Sequence, residues 1–293
     1  MVAATERDVA TAVSLGREHG LPVDEPIVVG DRTNLLVHLR PSPVVARVAR
    51  LFAAERGAAT VEAQVALSRH AVAHGAPVAA PADELPPGPH ERDGLLITFW
   101  RWYDHDEGRK LSNHDIGRSL RDVHDALASY RGGLAHYARA DELRSVLNRL
   151  ERAGEDVAVL RRGLEEVQAT QLGGQPVHGD AHPGNVLRTP AGVRWTDFEA
   201  ACIAPREYDL AALLWMDISR PERPPVAAEV IAGYGDHDHE MLELMLPAYG
   251  IFNAVWTVEL VRRMPSRRGI EVRDHRVGWW RRRYGLDAQA REM

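Results

Sequence analysis

Within residues 177–199 the chain sets two carboxylates and one amide at intervals that suit phosphoryl transfer. His178-Gly179-Asp180 is followed by Asn185 five positions later and by Asp197 twelve beyond that. Asp180 can accept a proton from a substrate hydroxyl, while Asn185 and Asp197 offer hard oxygen ligands for Mg²⁺. Val186-Leu187, the turn Thr189-Pro190-Ala191-Gly192 and Val193-Arg194-Trp195 read as a short β-hairpin. Such a hairpin returns the chain on itself, so Asn185 and Asp197 flank the same end.

These motifs resemble the aminoglycoside phosphotransferase and choline kinase-like family. His178-Gly179-Asp180 with Asn185 completes its H-G-D-x-x-x-x-N signature, and Asp197-Phe198-Glu199 matches its later metal aspartate. The resemblance implies an α+β, bilobal protein-kinase-like fold with a small β-rich N-terminal lobe and a larger, mainly helical C-terminal lobe. It divides the chain into a nucleotide-binding lobe at 1–99 and a helical lobe at 100–293, carrying a catalytic loop at 178–185 and a metal-binding segment at 197–199. It also implies ATP and Mg²⁺ as cofactors, with a small-molecule hydroxyl as acceptor. The resemblance runs along nearly the whole chain in element order, but only 177–209 is specific.

The chain that must hold these groups has 293 residues, 45% of them hydrophobic and 27% charged, as expected of a soluble globular protein. Its formal net charge of −6 gives no basic field for nucleic acid. Cys202 is the only cysteine, which excludes an internal disulfide and suits a reducing cytoplasm. The N-terminus shows no basic-then-apolar leader pattern. The apolar stretch 241–261 contains Glu243, Pro247, Asn253 and Glu259, so it reads as a core helix and not a membrane span. The sequence leaves the oligomeric state, monomer or dimer, open.

Lys110 is the only lysine among 36 basic residues. The family usually places a lysine on a small-lobe strand to hold the ATP phosphates, so another cation must serve here. Residues 35–40 and 44–49 read as strand, Pro-Ser-Pro turn, strand. Arg47 stands in the middle of the second strand and is the candidate, with Arg50 as rival on the opposite strand face. Arginine grips phosphate through a planar fork, so it is not a neutral replacement for lysine. Its expected partner is Glu62 on the following helix, with Glu55 as alternative. The turn Gly30-Asp31-Arg32-Thr33-Asn34 corresponds to the loop that covers nucleotide phosphates in the family, placing Gly30, Thr33 and Asn34 near them. The strand at 95–99 leads to the inter-lobe hinge, where the resemblance has backbone groups near Phe99 and Trp100 meet the adenine.

Ile116, Leu120, Val123 and Leu127 share a helical face, as do Leu143, Val146, Leu147 and Leu150. Asp209 matches a family aspartate expected to bond the catalytic-loop backbone, and His178 is expected to support the same loop. His182 shapes the site mouth; Pro183 and Gly184 oppose a helical zinc pair with His178. The tract Asp236-His237-Asp238-His239-Glu240 reads as a solvated loop.

The acceptor class stays open. A polycationic aminoglycoside needs carboxylates, which Asp104, Asp106 and Glu107, or Asp236, Asp238 and Glu240, can supply. Choline or another amino alcohol needs an aromatic cage, for which Trp215, Trp256, Trp279 and Trp280 are candidates. Sugars, macrolides and nucleosides also fit. A non-catalytic, pseudokinase-like nucleotide-binding module is the alternative from another class. Protein-kinase activity is a further one, although no A-P-E pattern lies between Asp197 and Asp209.

Overall fold

The structure, a computed structural model, describes residues 2–106, 108, 112–170 and 172–286. In chain order its elements are α1 (Val2–Glu18), β1 (Val23–Asp31), β2 (Asn34–Pro41), β3 (Val44–Ala49), α2 (Leu51–Arg56), α3 (Ala58–Ala73), β4 (His90–Arg92), β5 (Leu95–Arg101), α4 (Asn113–Leu127), β6 (Ala135–His136), α5 (Ala140–Arg152), α6 (Ala158–Gln168), β7 (Gln175–Val177), β8 (Val186–Thr189), β9 (Gly192–Trp195), β10 (Cys202–Ala204), α7 (Glu207–Ser219), α8 (Ala227–Tyr234), α9 (His239–Arg263) and α10 (Arg267–Arg283). The N-terminal region is built on a β-sheet and the C-terminal region is helical. The chain divides into two compact units, one holding residues up to Leu134 together with Pro183–Ala201, the other Ala135–His182 together with residues from Cys202 on.

In the first unit an antiparallel sheet runs in the order β1-β2-β3-β5-β4. Strand alternation puts Leu35, Val37 and Leu39, then Val44, Ala46 and Val48, then Ile97 and Phe99 into one core with Ala12, Val13 and Leu15 of α1. Arg47 falls between Ala46 and Val48, so the pleat turns it to the opposite face. The hairpin β8–β9 pairs Val186 with Trp195 and Thr189 with Gly192. Trp195 is fully buried and its indole N–H donates to Ser119 Oγ of α4 at 2.9 Å, which pins the hairpin to that helix. Ser112 caps α4 by accepting from the Asp115 N–H at 3.0 Å.

The second unit gathers α5, α6, α7 and α10 around α9, beside a small sheet ordered β6-β10-β7. Contact on several sides explains why α9 is apolar nearly all round. Among the described residues it is the helix long and apolar enough to cross a membrane, yet 72% of its most apolar window is buried within the protein. Gly250 is required where α9 meets Trp215: a Cβ there would lie 2.7 Å from the indole ring. Asp236, His237 and Asp238 form the loop expected there, with Asp236 and Asp238 exposed; Asp238 also caps α9 through the Met241 N–H at 3.0 Å, and its own N–H is held by Glu207 at 3.1 Å.

Candidate active site

The second unit carries Asp180 on the loop that leaves β7. Asp209, fully buried at the start of α7, accepts the backbone N–H groups of His178 and Gly179, both at 2.8 Å. Gly179 has φ of 83°, a left-handed conformation that a side chain would disfavour. His178 is fully buried and its Nδ1 accepts the Asp180 N–H at 3.3 Å, so Nε2 carries the proton in the neutral ring. These bonds fix the loop backbone on both sides of the turn.

The Asp180 carboxylate is held as well. Tyr249 donates to its Oδ1 at 2.5 Å, and His182 Nε2 stands 3.6 Å from Oδ2. A third of the Asp180 side chain is open to solvent although its surroundings are dense. Burial opposes ionisation, but His182 and the Tyr249 hydroxyl outweigh it and hold the carboxyl well below its usual range. His182 contributes charge only when protonated. Burial, together with Asp180, pushes the Tyr249 hydroxyl far up, so it stays a donor. Behind it, Asn253 donates to Tyr249 Oη at 3.2 Å and accepts from the Trp215 indole at 3.0 Å.

This relay corrects the expectation that Trp215 lines an acceptor cage. Trp215 is fully buried with its N–H engaged, and Trp256 is only 7% exposed, so both rings belong to the core. Tyr249 and Asn253 escaped the sequence reading. Their available signal was polarity at four-residue spacing, continued by Thr257, inside an apolar helix.

The first unit carries Asn185 and Asp197 at the open end of the β8–β9 hairpin. The Thr196 N–H and hydroxyl both donate to the Asn185 carbonyl, at 2.9 and 3.2 Å, closing that end. Asp197 adopts φ of 63° and ψ of 58°, a left-handed conformation rare for a residue with a side chain. Arg47 Nη2 pairs with Asp197 Oδ1 at 3.1 Å and also with Glu199 Oε2. Asn34 Nδ2 donates to Glu199 Oε2 at 3.1 Å, while its Oδ1 accepts the Arg50 N–H at 3.2 Å. Gly30 lies in β1 opposite Leu36, and Thr33 sits half-buried in the turn before Asn34.

Two expectations are overturned here. Arg47 does not pair with Glu62: Val61, Gln64, Val65 and Ser68 occupy the buried face of α3, which turns Glu62 outward into solvent. Glu199, two residues past Asp197, takes that place. Nor does Phe99 present free backbone to an adenine. Its N–H donates to the Pro87 carbonyl and its carbonyl accepts the Ala82 N–H, both at 2.9 Å. Trp100 is paired with Val45 in the sheet, and its indole donates to Thr98 Oγ1 at 2.8 Å.

Asp104 accepts from the Trp102 indole at 3.0 Å and Asp106 from the Gly108 N–H at 2.8 Å, both as exposed local contacts. Glu107 and Lys110 lie outside the described residues. Among the described residues no three His, Cys, Asp or Glu side chains cluster as a metal site.

Comparison with known proteins agrees with this architecture. Over 97% of the chain and 96% of the other, the structure resembles amicoumacin kinase hAmiN in complex with AMP-PNP, Ca²⁺ and Ami, with a TM-score of 0.72 at 14% identity. Choline kinase LicA from Streptococcus pneumoniae gives a TM-score of 0.64 at 15% identity over 91% and 97% of the two chains. The GDP and kanamycin complex of APH(2")-IIia gives 0.61 at 13% identity over 93% and 97%. No curated protein matches the sequence. The model of the phosphotransferase enzyme family matches residues 27–244. With most of its length matched by that model, the chain belongs to the phosphotransferase enzyme family.

Proposed function

We propose that this enzyme transfers the γ-phosphoryl group of ATP to a hydroxyl of a small molecule in a Mg²⁺-dependent reaction. The observation that carries the reading is Asp180: a carboxylate kept ionised, partly open to solvent, on a loop whose backbone is fixed by Asp209. Asp180 orients the acceptor hydroxyl and takes its proton. The oxygen forms a bond to the γ-phosphorus as the bond from that phosphorus to the bridging oxygen of ADP breaks. Positioning and electrostatics supply most of the acceleration.

Asn185 and Asp197 would hold the metal. An amide and a carboxylate are hard donors, and Mg²⁺ commonly takes one or two protein ligands beside phosphate oxygens and water. When bound, the metal neutralises charge on the phosphate oxygens. Arg47 is the cation for the nucleotide phosphates, held by Glu199; its Nη1 is buried with no hydrogen-bond partner among the described residues. The backbone of the Gly30–Asn34 turn faces the same phosphates in this reading. A buried lone thiol at Cys202 supports a cytoplasmic setting.

The relatives named above act on or were solved with different acceptors, among them kanamycin and Ami, so the fold does not select one. The test is Mg²⁺-dependent ADP release from ATP against pooled hydroxyl acceptors: aminoglycosides, macrolides, amino alcohols, sugars and nucleosides. Asp180→Ala should lower turnover by orders of magnitude with ATP still bound, and unchanged turnover removes Asp180 from its role. Asp197→Ala should weaken Mg²⁺-dependent nucleotide binding; tight binding retained in that variant sinks the assignment.

A further inference from the structure

Three polar residues of α9, Tyr249, Asn253 and Thr257, recur at four-residue spacing and therefore share a face. Tyr249 meets Asp180, and Asn253 meets Tyr249 and Trp215. Thr257 Oγ1 donates to the Asn253 carbonyl at 2.6 Å and accepts from the guanidinium of Arg276 on α10. The stripe thus runs from the catalytic-loop carboxylate to a buried arginine.

Arg276 is 6% exposed, and among the described residues its side chain makes one hydrogen bond, to the neutral Thr257 hydroxyl. No carboxylate among the described residues pairs with it, and its Nε is buried without a partner. Arg220, half-buried just past α7, has no side-chain hydrogen bond or ion pair among the described residues, and its Nε is buried too. Three other arginines show the contrast, since carboxylates hold them. Arg50 bridges Asp8 and Asp31, and Arg262 and Arg263 both pair with the buried Glu259. Burying a cation without a counter-charge is strongly unfavourable. Burial pushes Arg276 down to about 10; Tyr249 and Asp180 oppose that shift, and the charge of Arg220 adds to it. Arg276 thus ends the hydrogen-bonded stripe that begins at Asp180, and the charges of Arg276 and Arg220 both act on Tyr249.

We infer that Arg276 and Arg220 bind an anionic group, a carboxylate or a phosphate ester, carried by the hydroxyl acceptor that Asp180 deprotonates. This rests on the phosphotransferase reading and narrows its substrate class. The planar guanidinium fork matches both anions. A polycationic aminoglycoside or a quaternary amine meets like charge at the same place and is disfavoured.

The experiment is thermal melting of the full-length wild type, Arg220→Gln and Arg276→Met in inorganic phosphate, in glycolate, and in sodium chloride at matched ionic strength. Phosphate or glycolate should raise the wild-type Tm above the chloride control, and whichever acts names the anion. Each substitution should weaken the apparent affinity on the order of tenfold or more. Arg276→Met should itself melt higher than wild type without added anion, because it removes an uncompensated charge. No rise beyond chloride, or a rise unchanged in both variants, overturns the inference. A lower Tm for Arg276→Met also overturns it, since Arg276 is then a structural counter-ion of Asp180. Asp180→Ala separates the two readings: it should keep the anion response, so a failed base assignment shows as unchanged turnover in that variant alone.

Discussion

Tyr249 Oη lies 2.5 Å from Asp180 Oδ1, so a helix distant in sequence fixes one oxygen of the residue assigned as base. The bond favours the ionised carboxylate and directs Oδ2 toward His182. Tyr249→Phe deletes the donor and keeps the ring packing. The expected loss is about tenfold in kcat, equivalent to roughly 1.4 kcal/mol, with KM for ATP little changed. The sign for pH follows. Asp180 is depressed by its partners and acts as a base above its pKa; without Tyr249 that pKa rises, so the acid limb of kcat/KM moves to higher pH. A variant whose acid limb stays put leaves Tyr249 a packing residue only.

Arg47 answers to two carboxylates at once. Its side chain is 7% exposed, against 32% for Asp197 and 15% for Glu199. Removing the shared cation leaves two like charges together, Glu199 largely buried and Asp197 a third exposed, which costs up to about 3 kcal/mol. Arg47→Met should therefore lower the Tm sharply and raise KM for MgATP. Adding Glu199→Gln should recover part of the stability but not the KM. A double variant no more stable than Arg47→Met shows that Glu199 is not the partner that holds the arginine.

The fold was legible where local pattern decides it. The hairpin at 186–195 follows from its turn and from strand residues on both sides, and Arg47 marked itself as a charge inside an apolar strand. What failed was helical phase. Glu62 sits one position after buried Val61, about 100° around the helix, and so faces water. The true partner, Glu199, stood in plain view in Asp197-Phe198-Glu199. Nothing local says that strand residue 47 meets residue 199, 152 positions away. Tyr249 was hidden for the same reason: a core helix conceals its few polar contacts among many apolar ones.

Asp209 contributes two acceptor oxygens to two buried backbone donors. Each donor orphaned in a buried site costs about 1–3 kcal/mol, so Asp209→Ala should destabilise by roughly 2–6 kcal/mol. Asp209→Asn keeps only one acceptor oxygen and sets an amide NH2 donor against a backbone N–H donor. Denaturant unfolding should therefore rank wild type above both variants. Amide hydrogen exchange at His178 and Gly179 should rise first, before global unfolding. Unaltered exchange at those two amides would mean that water replaces the carboxylate without loss.

Glu259 gives a stability test independent of activity. Its side chain is wholly buried on α9, with Arg262 Nε at 2.9 Å and Arg263 Nε at 2.8 Å. Burial alone would raise its carboxyl, but hydrogen bonds and charge from Arg262 and Arg263 hold it below the usual range. A depressed carboxylate stabilises the fold above its unfolded pKa, and that stability is lost as pH falls through the folded value. Glu259→Gln should thus melt well below wild type at neutral pH. The gap should close as pH drops under about 4, where an unfolded glutamate also protonates. A gap of constant size from neutral to acid pH would mean that Glu259 acts through shape and not through charge.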